Sequence, residues 1–455
     1  MRTGTLTVAL ERLGALLALP ADERDASELA DLLREVHPSD VAARLEHLEL
    51  PRALEVFGLL DDDRAAETLH EVSPETGRYL LEHSPRERAV NMLDILPMDD
   101  AAEVVSEFGP PRAEPILAGL PSSDAAEVRE LLSYPEQTAG RLMTDNVALV
   151  SPQTTVAGVL DVLHRKADTL ETVHEVYVVD PGERLVGVCQ IRRLLMAQPD
   201  RPIGEIMVHD PLTVPPETDQ QEVARIIARY NFLALPVTDD AGRFLGIVTV
   251  DDVIDVLVEE FNEDYMRLVG SDAEEMERRT PAQVARLRLP WLIGTMVIEL
   301  FAGLVIARFG GVLKEVILLA SFMPVISAVS GNVGLQAAAI VVRGLDTGHV
   351  SLGGWVRSVG KEIQTSLLLA MVCGALLGAV GAAWSRHLPF GVVIGAAMIC
   401  SMMTAGAMGT LIPMLSKRLG FDPATTAGPF ETAFQDVVGF TVFLWLASLL
   451  LHWLA

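Results

Sequence analysis

Cysteine is nearly missing from the 455 residues: Cys189, Cys373 and Cys400 offer no paired framework and no metal-ligand spacing, and two of them lie in apolar runs. That excludes a disulfide scaffold and suits a reducing compartment for the soluble part of the chain. Familiar catalytic signatures are missing too. There is no GxxxxGK[ST], no HExxH, no CxxC and no Ser-centred elbow, so the chain is not read as an enzyme. Basic residues are scarce over residues 1–285, which hold 25 Lys/Arg against 55 Asp/Glu, a balance of −30. Phosphate binding needs a basic face, so nucleic acid is excluded as a partner, while cations remain open. Acidic residues are scarce in the remainder: residues 286–455 hold 10 Lys/Arg and 7 Asp/Glu, a balance of +3, and are far more apolar. The N-terminal stretch has an apolar run interrupted by Glu11 and Arg12 with no small-residue cleavage site after it, which predicts an amphipathic helix and not a signal peptide.

What the second part does have is length of apolar run. A bilayer-spanning helix needs about 20 largely apolar residues. Five segments qualify, near 289–309, 316–342, 365–384, 388–415 and 430–454. With the acidic part in the cytosol, the inside loops carry Arg286, Arg288, Arg343, Arg357, Lys361, Lys417 and Arg418, against Arg308, Lys314 and Arg386 outside. The basic excess inside predicts a cytosolic N-terminus and, after five spans, an external C-terminus. An Asp at the centre of a span costs about 2.5–3.5 kcal/mol and is usually functional, which singles out Asp436, two turns into the fifth span. Glu431 lies near the membrane interface, where its side chain can snorkel, and Glu299 lies inside the first span as a second pore or proton site. The second span, SFMPVISAVSGNVGLQAAAIVVRGL, contains Pro324, Gly331 and Gly334 beside Asn332 and Gln336, a pattern that predicts an interrupted helix lining a wet cavity. Pro413 predicts a kink in the fourth span. Carboxylate, amide and carbonyl oxygens without a His or Cys cluster select a hard cation such as Mg²⁺, Ca²⁺ or Mn²⁺, but do not choose among them.

The acidic part is repetitive at two scales. Residues 30–135 repeat at about 24 residues as Ser/Asp/Pro-capped helix pairs, which predicts a helical solenoid. Residues 140–257 repeat as two longer units, RLMTDNVALVSPQTTVAGVLDVLHRK aligning with EIMVHDPLTVPPETDQQEVARIIARY, each with a helix, two short strands about a Gly turn and a closing helix. In the last closing helix Asp251, Asp255, Glu259 and Glu263 form an i,i+4 ladder, with Glu260 and Asp264 in a second row and Asp252 alongside. Like-charge pairs at that spacing each destabilise by about 0.2–0.5 kcal/mol, so the stripe invites a cationic partner; an ordinary solvated acidic helix is the plainer alternative. Asp99 and Glu103 are likewise one turn apart, with Asp100 beside them, and a solvated face competes there too.

The stretches PVISAVSGNVGLQ (324–336), GTLIPMLSKRLGFDPATTAGPF (409–430) and FQDVVG (434–439), with MDDAAE (98–103) and YPEQTAGRLMT (134–144), closely resemble the MgtE family of magnesium channels. The 140–257 repeat resembles a tandem CBS pair. The resemblance covers nearly the whole chain. It implies a multidomain fold: an all-α N-terminal helical solenoid (1–138), an α/β tandem CBS pair (139–258), a connecting plug helix (259–285) and an all-α membrane domain with five transmembrane helices (286–455). It implies a homodimer in the prokaryotic inner membrane that mediates Mg²⁺ influx, with Asp436 as the central pore ligand; Asn332 and Gln336 of the second span are further candidate ligands, and the electrostatics of the acidic residues named above predict closure by cytosolic Mg²⁺. In nucleotide-binding relatives Phe232 would stack on adenine and Arg192 would face phosphate. Arg193 and Asn231 stand where those relatives offer Asp, which weighs against ATP here; a core role for Phe232 competes. A proton-coupled divalent-cation transporter or exporter, and a membrane-anchored CBS sensor without a pore, are the other readings.

Overall fold

The computed structural model describes residues 3–19, 26–166, 170–268, 281–346, 350 and 352–450. The chain divides into two compact units, Met1–Leu257 and Val258–Ala455.

Among the described residues the first unit opens with ten helices: α1 (Thr3–Ala18), α2 (Ala26–Glu35), α3 (Pro38–Leu45), α4 (Leu50–Phe57), α5 (Asp62–Glu71), α6 (Pro74–His83), α7 (Arg86–Ile95), α8 (Met98–Ser106), α9 (Pro110–Leu117) and α10 (Ser122–Ser133). Their starts follow from sequence chemistry. Pro38 and Pro74 occupy first-turn positions where a missing N–H costs nothing, and Asp61 caps α5 by accepting from the Arg64 N–H at 3.0 Å. Helices too short to be stable alone stack on the next-but-one: α3 on α5, α5 on α7 and α7 on α9 in one row, α4 on α6, α6 on α8 and α8 on α10 in the other. The apolar face of each supplies the shared core, with Leu45, Phe57, Leu69, Leu80, Met92 and Leu93 fully buried. The 24-residue period is thus one helix pair, as the spacing predicts.

A short α11 (Ala139–Leu142) leads into β1 (Leu149–Val150), α12 (Val156–Lys166), β2 (Glu175–Val179), β3 (Leu185–Gln190), α13 (Ile191–Met196), β4 (Val208–His209), α14 (Gln220–Tyr230), β5 (Ala234–Thr238), β6 (Phe244–Thr249) and α15 (Val250–Leu268). β1 runs parallel to β2, β2 antiparallel to β3 and β3 antiparallel to β4, while β5 and β6 form an antiparallel pair. The two repeats exchange their leading segments. Gly187 of β3 lies against Met207 of the second repeat, and Gly246 of β6 lies against Met143 and Thr144 of the first; a Cβ would come within 2.4 Å of Met207 Sδ and 2.7 Å of the Thr144 carbonyl. Both glycines are therefore dictated by close approach. The Tyr177 and Phe244 rings, 5.3 Å apart, join the repeats in one core.

The second unit holds α16 (Pro281–Arg308), α17 (Gly310–Glu315), a 3₁₀ segment (Ile317–Ser321), α18 (Met323–Asp346), α19 (Trp355–Ser385), α20 (Leu388–Leu419), α21 (Pro423–Ala427) and α22 (Pro429–Leu449). Five spans among the described residues are long and apolar enough to cross a bilayer: Pro281–Arg308, Ile317–Leu345, Trp355–Ser385, Leu388–Leu419 and Pro423–Leu449. Leu300, Leu304, Leu368 and Leu376 point outward from them, as lipid-facing side chains do. α19 and α20 approach along a seam of small residues, Gly374 and Gly378 against Gly391 and Gly395. The core of this unit gathers Phe322, Ile326, Val393, Ile394, Met398, Phe443 and Leu444.

One expectation about these helices changes. α18 runs unbroken through Gly331 and Gly334; the irregular turn precedes it, and Pro324 falls in its first turn, where proline is tolerated. α20 carries Pro413 inside its length, at the position expected to kink it. Close packing by α20 and α22 holds α18 helical across its glycines. Residues 269–280 of the expected connecting segment lie outside the described residues.

Candidate functional site

Carboxylates collect in the soluble unit where the first turn of α8 meets the first turn of α15. Asp99, Asp100 and Asp252 each place an oxygen within 4.8 Å of the others. Asp252 is fixed from its own helix start, accepting from both the N–H (3.3 Å) and the hydroxyl of Thr249. Asp99 is 9% exposed, and its buried Oδ1 has no hydrogen-bond partner. His70 of α5 stands 3.5 Å from Asp100. Burial pushes the Asp252 carboxyl up to about 7, and Asp251 and Asp100 add to it. Burial also raises Asp100 to about 6, opposed by His70 and reinforced by Glu103, Asp251 and Asp255. Asp99 is held well above the usual carboxylate range by burial, then by Asp100, Asp252 and Glu171. Three hard oxygen donors, one of them orphaned, fit a hard divalent cation.

The grouping differs from the one the helical spacing predicts. Asp99 joins Asp100 and Asp252, while Glu103 is exposed one turn away. Asp251 and Asp255 are exposed beside the cluster and act on it through charge. Glu259, Glu260 and Glu263 lie further along α15. Glu263 pairs with Arg267, which also donates to Asp422 at 2.6 Å, ahead of α21. The side chain of Asp264 lies outside the described residues. Two contributors escaped the sequence reading, His70 and Glu171. Burial and the charges of Asp100 and Asp251 raise Glu171, and only the tertiary fold reveals it.

In the membrane unit the fifth span carries its acid to a junction of three helices. Asp436 of α22 accepts from the Ser327 hydroxyl of α18, and Glu299 of α16 lies beside the Asp436 carboxyl. Asn332 and Gln336, one turn apart on α18, are exposed on the single chain. Glu431 does not snorkel: it is fully buried.

Phe232 is half-buried and stacks on Tyr230, the ring centroids 5.5 Å apart, so it serves the core. Arg192 is exposed, and Arg193 donates to the Ile206 carbonyl at 3.1 Å. Asn231 caps α14 in the left-handed region at φ 53°, a conformation Asn accepts readily.

Comparison with known proteins agrees with this layout. The MgtE family, described as a divalent cation transporter, matches residues 323–446; the MgtE intracellular N domain matches 36–137 and the CBS domain matches 139–200 and 203–259. Magnesium transporter MgtE of Enterococcus faecalis and that of Thermus thermophilus are each 38% identical over 330 residues, 72% of this chain and 73% of theirs. The Bacillus subtilis protein of the same name is 34% identical over 331 residues, again 72% of this chain and 73% of its own. The solved cytosolic domain of the Mg²⁺ channel MgtE in complex with ATP is 38% identical, with TM-score 0.51, covering 53% of this chain and 99% of that one. The soluble part of a magnesium transporter follows at 31% identity and TM-score 0.50, covering 55% and 99%. A chain with acidic solenoid, CBS pair and five membrane helices, matched over this length, belongs to the MgtE family of magnesium transporters and is not an enzyme.

Proposed function

We propose that Asp436 is the central cation ligand of a Mg²⁺ influx pathway built by two copies of this chain in the inner membrane, with the N-terminus cytosolic and the C-terminus outside. The observation that carries this reading is the place of Asp436 where three spans meet, beside Ser327 and Glu299. An ionisable group at that depth is retained for a pathway far more often than for packing. Mg²⁺ meets only one or two protein carboxylates and keeps most of its water, so one Asp from each of two copies suits it. Asn332 and Gln336, exposed on an otherwise apolar span, are the surface a second copy would cover. The basic excess of the inside loops supports the orientation.

Asp99, Asp100 and Asp252, ringed by Glu171, Asp251 and Asp255, would hold a regulatory Mg²⁺, which when bound supplies positive charge against their repulsion. Without it these carboxylates repel one another, and the first turns of α8 and α15 lose their reason to stay together. α15 carries Asp252 in its first turn and Arg267 in its last, so a change at the cluster bears on the far end of the same helix. Differential binding to the closed state makes this a population shift that shuts influx when cytosolic Mg²⁺ is high. A nucleotide is left out of the reading, since Arg193 and Asn231 stand where nucleotide-binding relatives offer Asp.

The test is Mg²⁺ flux into proteoliposomes, with Mg²⁺ varied on the side of the soluble unit. Wild-type flux that falls as this Mg²⁺ rises, and that fails in Asp436→Ala, is expected. Undiminished flux in Asp436→Ala would remove the pore assignment, and flux indifferent to the regulatory Mg²⁺ would remove the gate. Glu299 beside Asp436 favours one second reading, proton-coupled transport; an imposed pH gradient that drives flux in wild type but not in Glu299→Gln would select it.

A further inference from the structure

Five residues before Asp436 on the same helix, Glu431 has no exposed surface, and neither of its carboxylate oxygens has a hydrogen-bond partner. One turn on, Gln435 is 1% exposed, and its Oε1 is also without a partner. At i,i+4 the two side chains share a face of α22, while Asp436 is rotated from Glu431 by about 140° at 3.6 residues per turn. The face opposite is made to receive them. Gly334 of α18 packs directly on the Glu431 carboxylate, and a Cβ there would stand 2.3 Å from Oε1. On α18, Gly334 and Ser327, which meets Asp436, are seven residues apart, about 10 Å at 1.5 Å per residue. Glu431 and Asp436 thus face different residues of α18, Gly334 and Ser327, while the charge of Asp436 still reaches Glu431.

Gln435, Ser401 and Ser330 each direct a side-chain donor elsewhere. Gln435 Nε2 donates to the Ser401 carbonyl at 3.1 Å, which also fixes which end of the amide is oxygen. The Ser401 hydroxyl donates to Ser330 Oγ at 2.9 Å, and the Ser330 hydroxyl donates to the Ile326 carbonyl. What remains, among the described residues, is three buried acceptors facing no donor. An acceptor left bare in a dry interior costs about 1–3 kcal/mol, and more if charged. The first turn of α22 favours a negative Glu431 through its backbone dipole, but a bare charge in a dry interior is costly, so the group that completes the site is one that neutralises it.

We propose that Glu431 and Gln435 form a second cation site inside the helix bundle, taking one dehydrated alkali cation. Size and charge make the choice. A single carboxylate is neutralised one for one by a monovalent ion, whereas a divalent ion would leave a net charge in the bundle. Mg²⁺ gives up its water reluctantly, and a fully buried pocket has no place for a hydrated ion. Hard oxygen donors with no nitrogen or sulfur suit Na⁺ or K⁺. The site ties α22 to α18 beside the Asp436 junction, and it stands whether or not Asp436 conducts.

The experiment is thermal unfolding of the full chain in detergent without Mg²⁺, at fixed pH and ionic strength. Na⁺ or K⁺ replaces N-methyl-D-glucamine stepwise for wild type, Glu431→Gln, Gln435→Met and Asp436→Asn. A ligand that binds only the folded state raises the midpoint with its concentration. The expected result is a saturable rise for wild type and Asp436→Asn, a response shifted about tenfold in concentration for Gln435→Met, and none for Glu431→Gln, which keeps the side-chain shape. A rise that persists in Glu431→Gln, or no rise in wild type with either ion, overturns the proposal. A wild-type midpoint that follows pH alone, and loses that dependence in Glu431→Gln, also overturns it, because the occupant is then a proton.

Discussion

Replacing Asp252 by Asn tests the cation cluster at its most quantifiable residue. Asn keeps an oxygen to accept from Thr249, so the start of α15 is retained and only the charge is lost. The Asp252 carboxyl rises from its ordinary 3.8 to about 7, chiefly by burial. A carboxyl whose folded value is raised binds its proton more tightly folded than unfolded, so without metal its stability contribution declines as pH climbs between about 4 and about 7. From pH 5 to pH 8 the loss is about 3 kcal/mol, roughly a hundredfold in the opening equilibrium of the surrounding segment. Amide hydrogen exchange of α8 and the first turn of α15 reads this directly, comparing wild type and Asp252→Asn at matched pH in the presence of EDTA. At pH 5 the two should agree. At pH 8 the variant should be better protected by up to about a hundredfold, and Mg²⁺ should restore wild type while leaving the variant nearly unmoved. Equal protection at both pH values, or a variant less protected at pH 8, would refute the view that buried, unneutralised charge is held at this site.

Other perturbations follow from single contacts. Arg267→Ala breaks the pairs with Glu263 and Asp422; being partly exposed they contribute about 1 kcal/mol at most, so flux at closing Mg²⁺ should rise up to about fivefold in the proteoliposome assay. Gly246→Val drives a branched side chain into the Thr144 carbonyl and should lower stability by about 2–3 kcal/mol in chemical denaturation, with the exchanged segment of the first repeat losing protection first. Phe232→Ala should leave the thermal midpoint equally indifferent to ATP before and after the change; a midpoint raised by ATP in wild type alone would restore the nucleotide reading.

The domain layout was legible because it rests on patterns local in sequence. The 24-residue period, the two longer repeats and the five apolar runs each correspond to a unit that folds as the pattern says. Asp436 stood out for the same reason: an acid two turns inside a long apolar run is a one-dimensional signal. The cluster was only half legible. Helical periodicity pairs Asp99 with Glu103, since it sees neighbours along one helix. The actual partner, Asp252, comes from 153 positions away, delivered by the exchange that packs the CBS strands. His70 and Glu171 enter in the same way, through tertiary placement that no spacing encodes.

The glycines of the second span carry the sharper lesson. Gly331 and Gly334 beside polar residues read as a weakened helix, because glycine in isolation loosens a helix by about 0.5–1 kcal/mol. In the bundle α18 stays helical and Gly334 instead makes room, so that a whole carboxylate fits between α18 and α22. The same residue type that suggests a break in one dimension supplies a pocket in three. That exchange explains both errors about this region at once: α18 is unbroken because its glycines are packed, and Glu431 is buried because they are glycines. A carboxylate accommodated so deliberately, with its neighbouring donors turned away, is better explained by a cation that completes it than by an accident of packing.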